Sequence, residues 1–486
     1  MRTRTTLAAA ALLAAGAVLG GLTIPTAGQE KKAEAESQPT FTPAQLAERT
    51  KYRRAVEAAI WGMPIVVADA IRQGFLRDIK ANYNDIAYYS KPADWRFQTT
   101  TPNASTHYIY SAFSTKQAGP VVLEVPATVG AGLYGQVCDM WDVPLVIAGP
   151  GGEDKGKGGK YLLLPPDFKG DVPDGHIPVR LQTWGGFWLM RAIPKSHDQA
   201  DIDSAIALAK KIRVYPLSKA GNPPEQRFID AYGKLWEGIP RMDESFYAVL
   251  AKMVNEETVQ PRDLAMMNML RSLGIEKGKE FKPNAATTAI FKEAIKEAHA
   301  FFNNMQRTAL TPYWEGARWA LPDTAGVKTE FSYQDANMLD YDNRALLNFL
   351  AWAPPKKSDP SAPTIYISAF DDSTGAPLAG GKTYRLRVPP NVPAKQYWSA
   401  TVYDHETASF LREAPVISLD SYNQKIKKNP DGSVDIYFAP QPPEGQENNW
   451  VATGKSGQWL VTFRLYGPDK PFFDKTWKLP DIEKIK

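Results

Sequence analysis

Hydrophobic and hydroxyl-bearing side chains alternate along Tyr397–Asp404 in the C-terminal part of the chain. Every second residue from Tyr397 onward is Tyr, Ser or Thr, and the residues between them are Trp, Ala and Val. Because successive side chains of a β-strand point to opposite faces, this segment predicts a strand with one apolar and one hydroxyl face. We expect the apolar face to pack on a core and the hydroxyl face to meet water or line a polar cavity.

Other short apolar segments, each bounded by Pro, Gly or Asp, occur in two parts of the chain. Their regular spacing predicts antiparallel sheets arranged as a sandwich or barrel. The predicted strands are 107–113, 121–125, 134–141, 161–164 and 186–192 in the N-terminal part, and 364–370, 383–388, 397–404, 434–438 and 459–466 in the C-terminal part.

Between these two parts, apolar residues recur every three or four positions, which is the period of a helix with one buried face. The strongest pattern is the continuous apolar stripe of 286–306. A helix is also predicted to begin at Thr42–Pro43 and to end near Pro64, before a second helical stretch at 65–74. The remaining predicted helices are 201–215, 228–236, 244–255, 262–273 and 334–352.

A chain of 486 residues is too long for one ordinary core. We predict a β-rich α+β protein in which two antiparallel β domains are joined by a helical middle section. The predicted segments are a signal peptide (1–28), a polar tether (29–40), N-terminal helices (41–93), an N-terminal β domain (94–200), the helical middle section (201–353), a Pro-rich linker (354–363) and a C-terminal β domain (364–486).

The N-terminus has the pattern of a secretory signal peptide. Arg2 and Arg4 precede the apolar segment Leu7–Leu22, and small residues follow at Thr26–Gly28. Cleavage near Gly28 predicts a periplasmic or secreted protein without a transmembrane segment, in a compartment where ATP and NAD are not freely available. An uncleaved membrane anchor is the alternative, although the apolar segment is slightly short for a spanning helix.

Charge and motifs exclude several classes of function. The formal net charge is only +4, and no Lys/Arg cluster is long enough to follow a phosphate backbone, so nucleic acid is not an expected partner. The single Cys138 cannot form an intrachain disulfide. Segment 151–158 resembles a phosphate-binding loop but ends in Gly158 and leads into a predicted strand. No cofactor or metal site is predicted, and a divalent cation bound by carboxylates is the open alternative.

Several segments in the expected order resemble two known domain families. Thr101–Tyr108, 120–126 and 139–142 resemble domain of unknown function 1254, and 397–404 with Arg464–Pro468 resembles domain of unknown function 1214. The resemblance implies two β domains of jelly-roll or barrel type and a homo-oligomer, but no settled activity. Ser105 stands where the family usually has Asp, which puts any role of that carboxylate in doubt here.

The first candidate site is the N-terminal polar cluster. Asn103, Ser105 and Tyr108 are predicted to bind a polar ligand, and His107 is a candidate general base. Short polar side chains after a proline also cap turns, and a hydrogen-bonded histidine is often structural, so both alternatives stay open. Asp139 is a further catalytic candidate, although a regular strand would place it on the face opposite Asp142.

The second candidate site is in the C-terminal part. Tyr403 and the catalytic candidate Asp404 lie at the end of one predicted strand, and Arg464 and Tyr466 share a face of another. Such a set can bind a carboxylate or a sugar, with Arg464 as the anchor. A buried ion pair that stabilises the strand ends is the alternative.

Two functions are consistent with these residues. The first is an extracytoplasmic protein that binds a small polar or amphiphilic ligand in a β-domain cavity. The second is an extracytoplasmic hydrolase or lyase that acts on a sugar, ester or aromatic acid without an organic cofactor. An enzyme predicts that His107, Asp139, Asp404 or Arg464 converge in one cleft, whereas a binding protein predicts a large pocket dominated by aromatic side chains.

Overall fold

Helix α1 (Pro43–Gln73) begins where the Thr42–Pro43 pair predicts a helix. It does not end at Pro64 but continues through it into a π-helical turn at Gly74–Asp78. A proline inside a helix removes one backbone hydrogen bond. Packing offsets that loss here, because nearly all side chains from Ala55 to Ala68 are buried. The predicted break at Pro64 is therefore wrong.

The computed structural model describes residues 41–196, 198–321, 325–354 and 364–485. The predicted signal peptide and polar tether lie outside these described residues. All of the predicted linker except Pro354 also lies outside them.

The N-terminal sheets are formed by strands between residues 86 and 237. These strands are β1 (Ile86–Tyr88), β2 (Phe97–Gln98), β3 (His107–Ser114), β4 (Val121–Val125), β5 (Gly132–Asp139), β6 (Pro144–Ala148), β7 (Gly159–Leu164), β8 (His176–Arg180), β9 (Gly185–Ile193), β10 (Arg213–Pro216), β11 (Phe228–Asp230) and β12 (Trp236–Glu237). A six-stranded sheet has the order β11-β1-β3-β9-β5-β6, a four-stranded sheet has the order β10-β4-β7-β8, and β12 pairs with β2. Most pairs are antiparallel, but β1–β11, β2–β12 and β7–β8 are parallel.

The other helices are α2 (Thr115–Ala118), α3 (Gln199–Ala209), α4 (Ser245–Glu256), α5 (Leu264–Arg271), α6 (Ala285–Thr308), α7 (Ala325–Lys328), α8 (Tyr341–Leu350) and α9 (Lys470–Phe473). The helices predicted at 244–255, 262–273 and 286–306 are confirmed within a few residues. Those predicted at 201–215 and 334–352 are shorter in the structure, where they correspond to α3 and α8.

The helix predicted at 228–236 is wrong. Phe228–Asp230 forms β11, which pairs with β1 at the edge of the six-stranded sheet, and Trp236 begins β12. The Trp236 indole is fully buried and donates a hydrogen bond to the carbonyl oxygen of Ile71 at 3.1 Å. Tertiary packing of these side chains therefore outweighs the weak helical spacing. The section predicted as helical thus contains β10, β11 and β12, which join the N-terminal sheets.

The C-terminal sheets are formed by β13 (Thr364–Ala369), β14 (Tyr384–Val388), β15 (Ala394–Asp404), β16 (Ser418–Asp420), β17 (Val434–Ala439), β18 (Trp450–Ala452), β19 (Trp459–Pro468) and β20 (Glu483–Lys484). One four-stranded sheet has the order β13-β19-β15-β16, and the other has the order β18-β17-β14-β20. All pairs are antiparallel except β17–β18. The apolar faces of β14, β15, β17 and β19 contribute to one buried cluster.

The protein is a mixed α+β structure rich in strands, as predicted. Among the described residues every sheet has two free edges, so neither part forms a closed barrel. The largest core cluster joins α1, α4, α6 and α8 to the six-stranded sheet, and it also contains Tyr403, Phe410 and Leu460 from the C-terminal part. This shared core brings the N-terminal and C-terminal sheets against each other.

Candidate functional site

Strand β15 has the two faces that its sequence predicts. Trp398, Ala400 and Val402 pack in the core of the C-terminal sheets, whereas Tyr403 on the other face belongs to the cluster shared with the N-terminal part. Its neighbour β19 places Tyr466 opposite Tyr397 and Arg464 opposite Ser399. The hydroxyl face of β15 and the polar face of β19 are therefore turned towards the N-terminal part of the chain.

The two polar clusters predicted separately meet in the structure. Asn103 donates a side-chain hydrogen bond to the Tyr466 hydroxyl. The Ser105 hydroxyl lies 3.0 Å from the Tyr397 hydroxyl and 3.1 Å from the Tyr466 hydroxyl. The backbone N–H of Asn103 donates to the Tyr108 hydroxyl at 2.9 Å. We call these five side chains the hydroxyl cluster.

The same segment also shows the turn geometry that the alternative interpretation predicts. The Asn103 side-chain oxygen accepts hydrogen bonds at 2.8 Å from both the backbone N–H and the hydroxyl of Ser105. Capping the turn does not remove Asn103 from the site, because its side-chain amide still donates to Tyr466 and the residue lines the cavity.

Arg464 is almost completely buried, with 1% of its surface exposed. Its Nη2 atom donates to the Tyr403 hydroxyl at 2.5 Å and to the Thr101 carbonyl oxygen at 3.2 Å. Thr101 has φ of 37°, which is unusual for a β-branched residue and marks a strained backbone at this contact. Tyr403 in turn donates to the Pro102 carbonyl oxygen at 2.6 Å. The N-terminal segment therefore fixes the orientation of the arginine.

Within the described part of the chain, no acid balances the charge of Arg464. Among the described residues it forms no ion pair, so the alternative of a buried ion pair is not found. Burial lowers the pKa of Arg464, but the hydroxyl groups of Tyr403, Tyr466 and Tyr366 raise it, and the net pKa lies above its ordinary value. The guanidinium therefore stays charged.

A cavity of about 810 Å³ lies between the N-terminal and C-terminal sheets. Its lining includes Arg464 and the hydroxyl cluster, together with apolar side chains of α8 and of the residues after it. These apolar side chains are Leu346, Leu347, Leu350 and Trp352. Arg191 of β9 and Lys195 also line the cavity, whereas no Asp or Glu does so among the described residues.

Arg191 is a site residue that the sequence analysis missed. It is partly buried, and its guanidinium lies 5.6 Å from the ring centroid of Tyr108. Burial lowers the pKa of Arg191, but nearby tyrosines, Tyr366 first among them, raise it above its ordinary value. A signal was present in the sequence, because this arginine interrupts the otherwise apolar strand 187–193. Charged residues inside such strands are uncommon unless they have a specific role.

Among the predicted catalytic residues, His107 alone lines the cavity. Its ring is buried, and Nδ1 lies 3.0 Å from the carbonyl oxygen of Tyr89. This contact fits the structural role considered for His107, and the position on the cavity wall fits the functional one.

Asp139 is outside the cavity and fully buried. Its Oδ1 atom accepts the backbone N–H groups of Trp141 at 2.8 Å and Val143 at 3.0 Å, and burial raises its pKa to about 6. Asp142 accepts the backbone N–H of Ala353 with both oxygens. Each aspartate therefore holds a different backbone segment, and the two do not form an acid/base pair facing the cavity.

Asp404 is also outside the cavity. One of its oxygens accepts the backbone N–H groups of Glu406 and Thr407 at 2.9 and 3.0 Å. It therefore caps the turn after β15. Tyr403 does not line the cavity either, but it holds Arg464 in place.

Two further observations concern the chemistry and setting of the described part of the chain. No group of three or more His, Cys, Asp or Glu side chains within it is arranged to hold a metal ion. None of its helices combines the length and the apolar character needed to cross a membrane.

The fold and the site together define an α+β protein with a cationic, partly apolar cavity between two groups of open sheets. Residues 83–216 match the protein family of unknown function DUF1254, and residues 363–470 match the family of unknown function DUF1214. The two matches lie in the N- to C-terminal order that the sequence motifs predicted. No curated protein matches it.

The solved structures that resemble the protein include one from Vibrio parahaemolyticus and one from Burkholderia cenocepacia. The crystal structure of the VPA0106 protein from Vibrio parahaemolyticus has a TM-score of 0.52 and 17% identity, and the match covers 90% of this chain and 100% of that one. An uncharacterized protein from Burkholderia cenocepacia has a TM-score of 0.40 and 11% identity, with 90% and 95% covered. The first likeness shows a similar fold, and nothing is concluded from the second.

Proposed function

We propose that this is an extracytoplasmic protein that binds a small amphiphilic ligand in the cavity between the N-terminal and C-terminal sheets. The observation that carries the proposal is the cavity itself, which has about 810 Å³ of space and is lined by both apolar and buried polar side chains. Sites for small molecules typically have volumes of about 300–1,000 Å³ and combine apolar linings with a few polar groups. The extracytoplasmic location rests on the N-terminal sequence pattern alone.

The distribution of acids and bases favours binding over the hydrolase or lyase alternative. Asp139 and Asp404, the two carboxylates considered for catalysis, hold backbone segments away from the cavity. General acid–base chemistry needs a group within about 3 Å of the proton it transfers. Among the catalytic candidates only His107 lines the cavity, and its Nδ1 atom already contacts a backbone carbonyl oxygen.

The same proposal includes the fold of the two β domains and the oligomeric state. Two β domains of jelly-roll type are consistent with the separate buried cores of the N-terminal and C-terminal sheets. A homo-oligomer rests on the family resemblance, and light scattering on the mature protein would measure its size.

A thermal-shift screen of the mature protein tests the binding function. The panel contains sugars, aromatic acids, fatty acids and esters, with divalent ions added in a parallel series. A ligand that binds only the folded state raises the melting temperature. We expect amphiphilic compounds to raise it and purely polar sugars to leave it unchanged.

A cavity-filling variant makes the test specific. Ala351 lines the cavity and has extended backbone geometry that any residue adopts, so Ala351→Trp is expected to occupy part of the space and to reduce the shift. Ala118 is partly buried but does not line the cavity, so Ala118→Trp serves as the control. The proposal is wrong if no compound shifts the native protein, or if Ala351→Trp keeps the native affinity for an active compound.

A further inference from the structure

Among the described residues, the cavity lining carries positive charge without a matching negative charge. Arg464 and Arg191 both line it, and no acidic side chain does so among the residues that the structure describes. Both guanidinium groups lie close to tyrosine rings, with Arg464 at 5.0 Å from the Tyr366 centroid and Arg191 at 5.6 Å from the Tyr108 centroid. Aromatic faces attract cations, but they do not neutralise them.

Arg464 has unused donors as well as an unbalanced charge. The Nη2 atom contacts Tyr403 and Thr101, whereas Nε and Nη1 are buried without a hydrogen-bond partner among the described residues. Burying an unpaired charge destabilises a fold, and buried donors without acceptors add to that cost. An acceptor with a negative charge, placed in the cavity, would offset both costs.

The surroundings of Arg464 suit a negatively charged head group attached to an apolar body. Its orientation is already fixed by the Thr101 carbonyl oxygen and Tyr403, so binding an anion would order few additional groups. The Tyr466 hydroxyl, two residues from Arg464 on β19, accepts from Asn103 and can donate its own proton to an anion. Apolar side chains that also line the cavity, including Leu346 and Leu350, can bury a hydrocarbon chain.

We propose that the ligand is an anionic amphiphile, with a carboxylate or phosphate head group bound by Arg464 and Arg191 and a hydrocarbon body against the apolar side chains of α8. This inference rests on the proposed function, because it specifies the chemical class of ligand for the same cavity. Charge-assisted hydrogen bonds from arginine to carboxylate or phosphate are about twice as strong as neutral ones. The head group therefore determines most of the selectivity between anionic and neutral amphiphiles.

Calorimetric titration with three ligands of equal chain length tests the inference. Decanoate and decyl phosphate carry the two anionic head groups, and decanol is their neutral counterpart. We expect at least one anion to bind the native protein about tenfold or more tightly than decanol, which corresponds to about 1.4 kcal/mol. The two anions distinguish a carboxylate site from a phosphate site.

Three arginine variants locate the charge effect. Arg464→Gln and Arg191→Gln are each expected to weaken binding of the preferred anion about tenfold or more, while the affinity for decanol changes little. Arg385→Gln is the matched control, because Arg385 lies on β14 outside the cavity and pairs with Glu483. Arg191 is only partly buried, so its variant tests the inference even if the Arg464 variant does not fold.

The outcomes separate this inference from the proposed function. If decanol binds as tightly as both anions, or if both arginine variants keep the native anion affinity, the inference of an anionic head group is wrong and the proposed binding function stands. If none of the three compounds binds the native protein while another amphiphile raises its melting temperature, the anionic amphiphile is also wrong. If no amphiphile binds at all, both proposals are wrong.

Discussion

Glu257 is a buried acid whose ionisation should destabilise the fold. Its carboxylate accepts the backbone N–H of Trp184 at 2.5 Å and that of Gly185 at 3.1 Å, which links the end of α4 to the start of β9. Burial raises the pKa of Glu257 from 4.5 to about 7, although these two backbone contacts and Arg72 lower it. Glu256 raises it further.

The direction of the pH effect follows from proton linkage. Because the folded pKa is higher than the unfolded one, the folded state holds more protons between pH 4.5 and 7, and the free energy of unfolding falls as pH rises through this range. The shift corresponds to about 3 kcal/mol in total, of which about 2.5 kcal/mol falls between pH 5 and pH 8. Asp139 has a raised pKa of about 6 and acts in the same direction.

Glu257→Gln isolates the contribution of this residue. Glutamine keeps the size of the side chain but cannot ionise, so the variant should lose about 2.5 kcal/mol less stability than the native protein between pH 5 and pH 8. Urea unfolding followed by tryptophan fluorescence measures this difference, with Glu280→Gln as the control because the Glu280 side chain is largely exposed. Equal losses in native protein and Glu257→Gln would refute the reasoning.

Two further predictions concern packing and charge. A Cβ atom at Gly135 would lie 2.1 Å from the Leu189 carbonyl oxygen, so Gly135→Ala should lower the free energy of unfolding by about 3 kcal/mol. Gly151→Ala is the control and should change the free energy of unfolding little, because a Cβ atom there would have no neighbouring atom within 4 Å. Urea unfolding of both variants compares them, and equal stabilities would contradict the packing argument. Ser105→Asp places a carboxylate beside Tyr466 in a cationic cavity, so decanoate should bind about tenfold more weakly because like charges repel. The affinity for decanol should stay unchanged, and calorimetric titration measures both affinities. Unchanged decanoate affinity would show that charge at position 105 does not reach the ligand.

Local patterns predicted those elements whose side-chain periodicity is set by burial on one face. The two faces of β15 could be read from Tyr397–Asp404 because its apolar and hydroxyl residues contact different clusters. The stripe in 286–306 predicted α6 for the same reason, since Phe291, Ala294 and Phe302 are buried on one side of that helix. In both segments the local pattern and the tertiary environment agree.

Prediction failed where long-range packing opposed the local pattern. Helix α1 continues through Pro64 because buried neighbours stabilise it on several sides. At 228–236, the hydrogen bonds of β11 with β1 and the burial of Trp236 create strands that no local spacing indicates. Information about these partners is distributed over more than a hundred positions of the sequence, so a short window cannot contain it.

The candidate site was predicted as two separate clusters because its residues are far apart in sequence. Ser105 and Tyr466 are separated by 361 positions, and their contact depends on the packing of two groups of sheets. Residue types alone identified Asn103, Ser105 and Arg464 as polar groups with functional potential. They could not reveal that Asp139 and Asp404 hold backbone segments elsewhere, because the same side chain caps a turn or enters a cavity according to tertiary context.

The geometry of the cavity gives a physical reason for the two family domains to occur in one chain. Thr101, from the DUF1254 region, supplies the carbonyl oxygen that orients Arg464, from the DUF1214 region. Asn103 likewise donates to Tyr466, so the polar lining of the cavity is built from residues of both regions. A separate DUF1214 domain would expose Arg464 to water and lose its fixed orientation. Binding of the proposed ligand would then require Arg464 to be ordered first, so the proposed site depends on both regions.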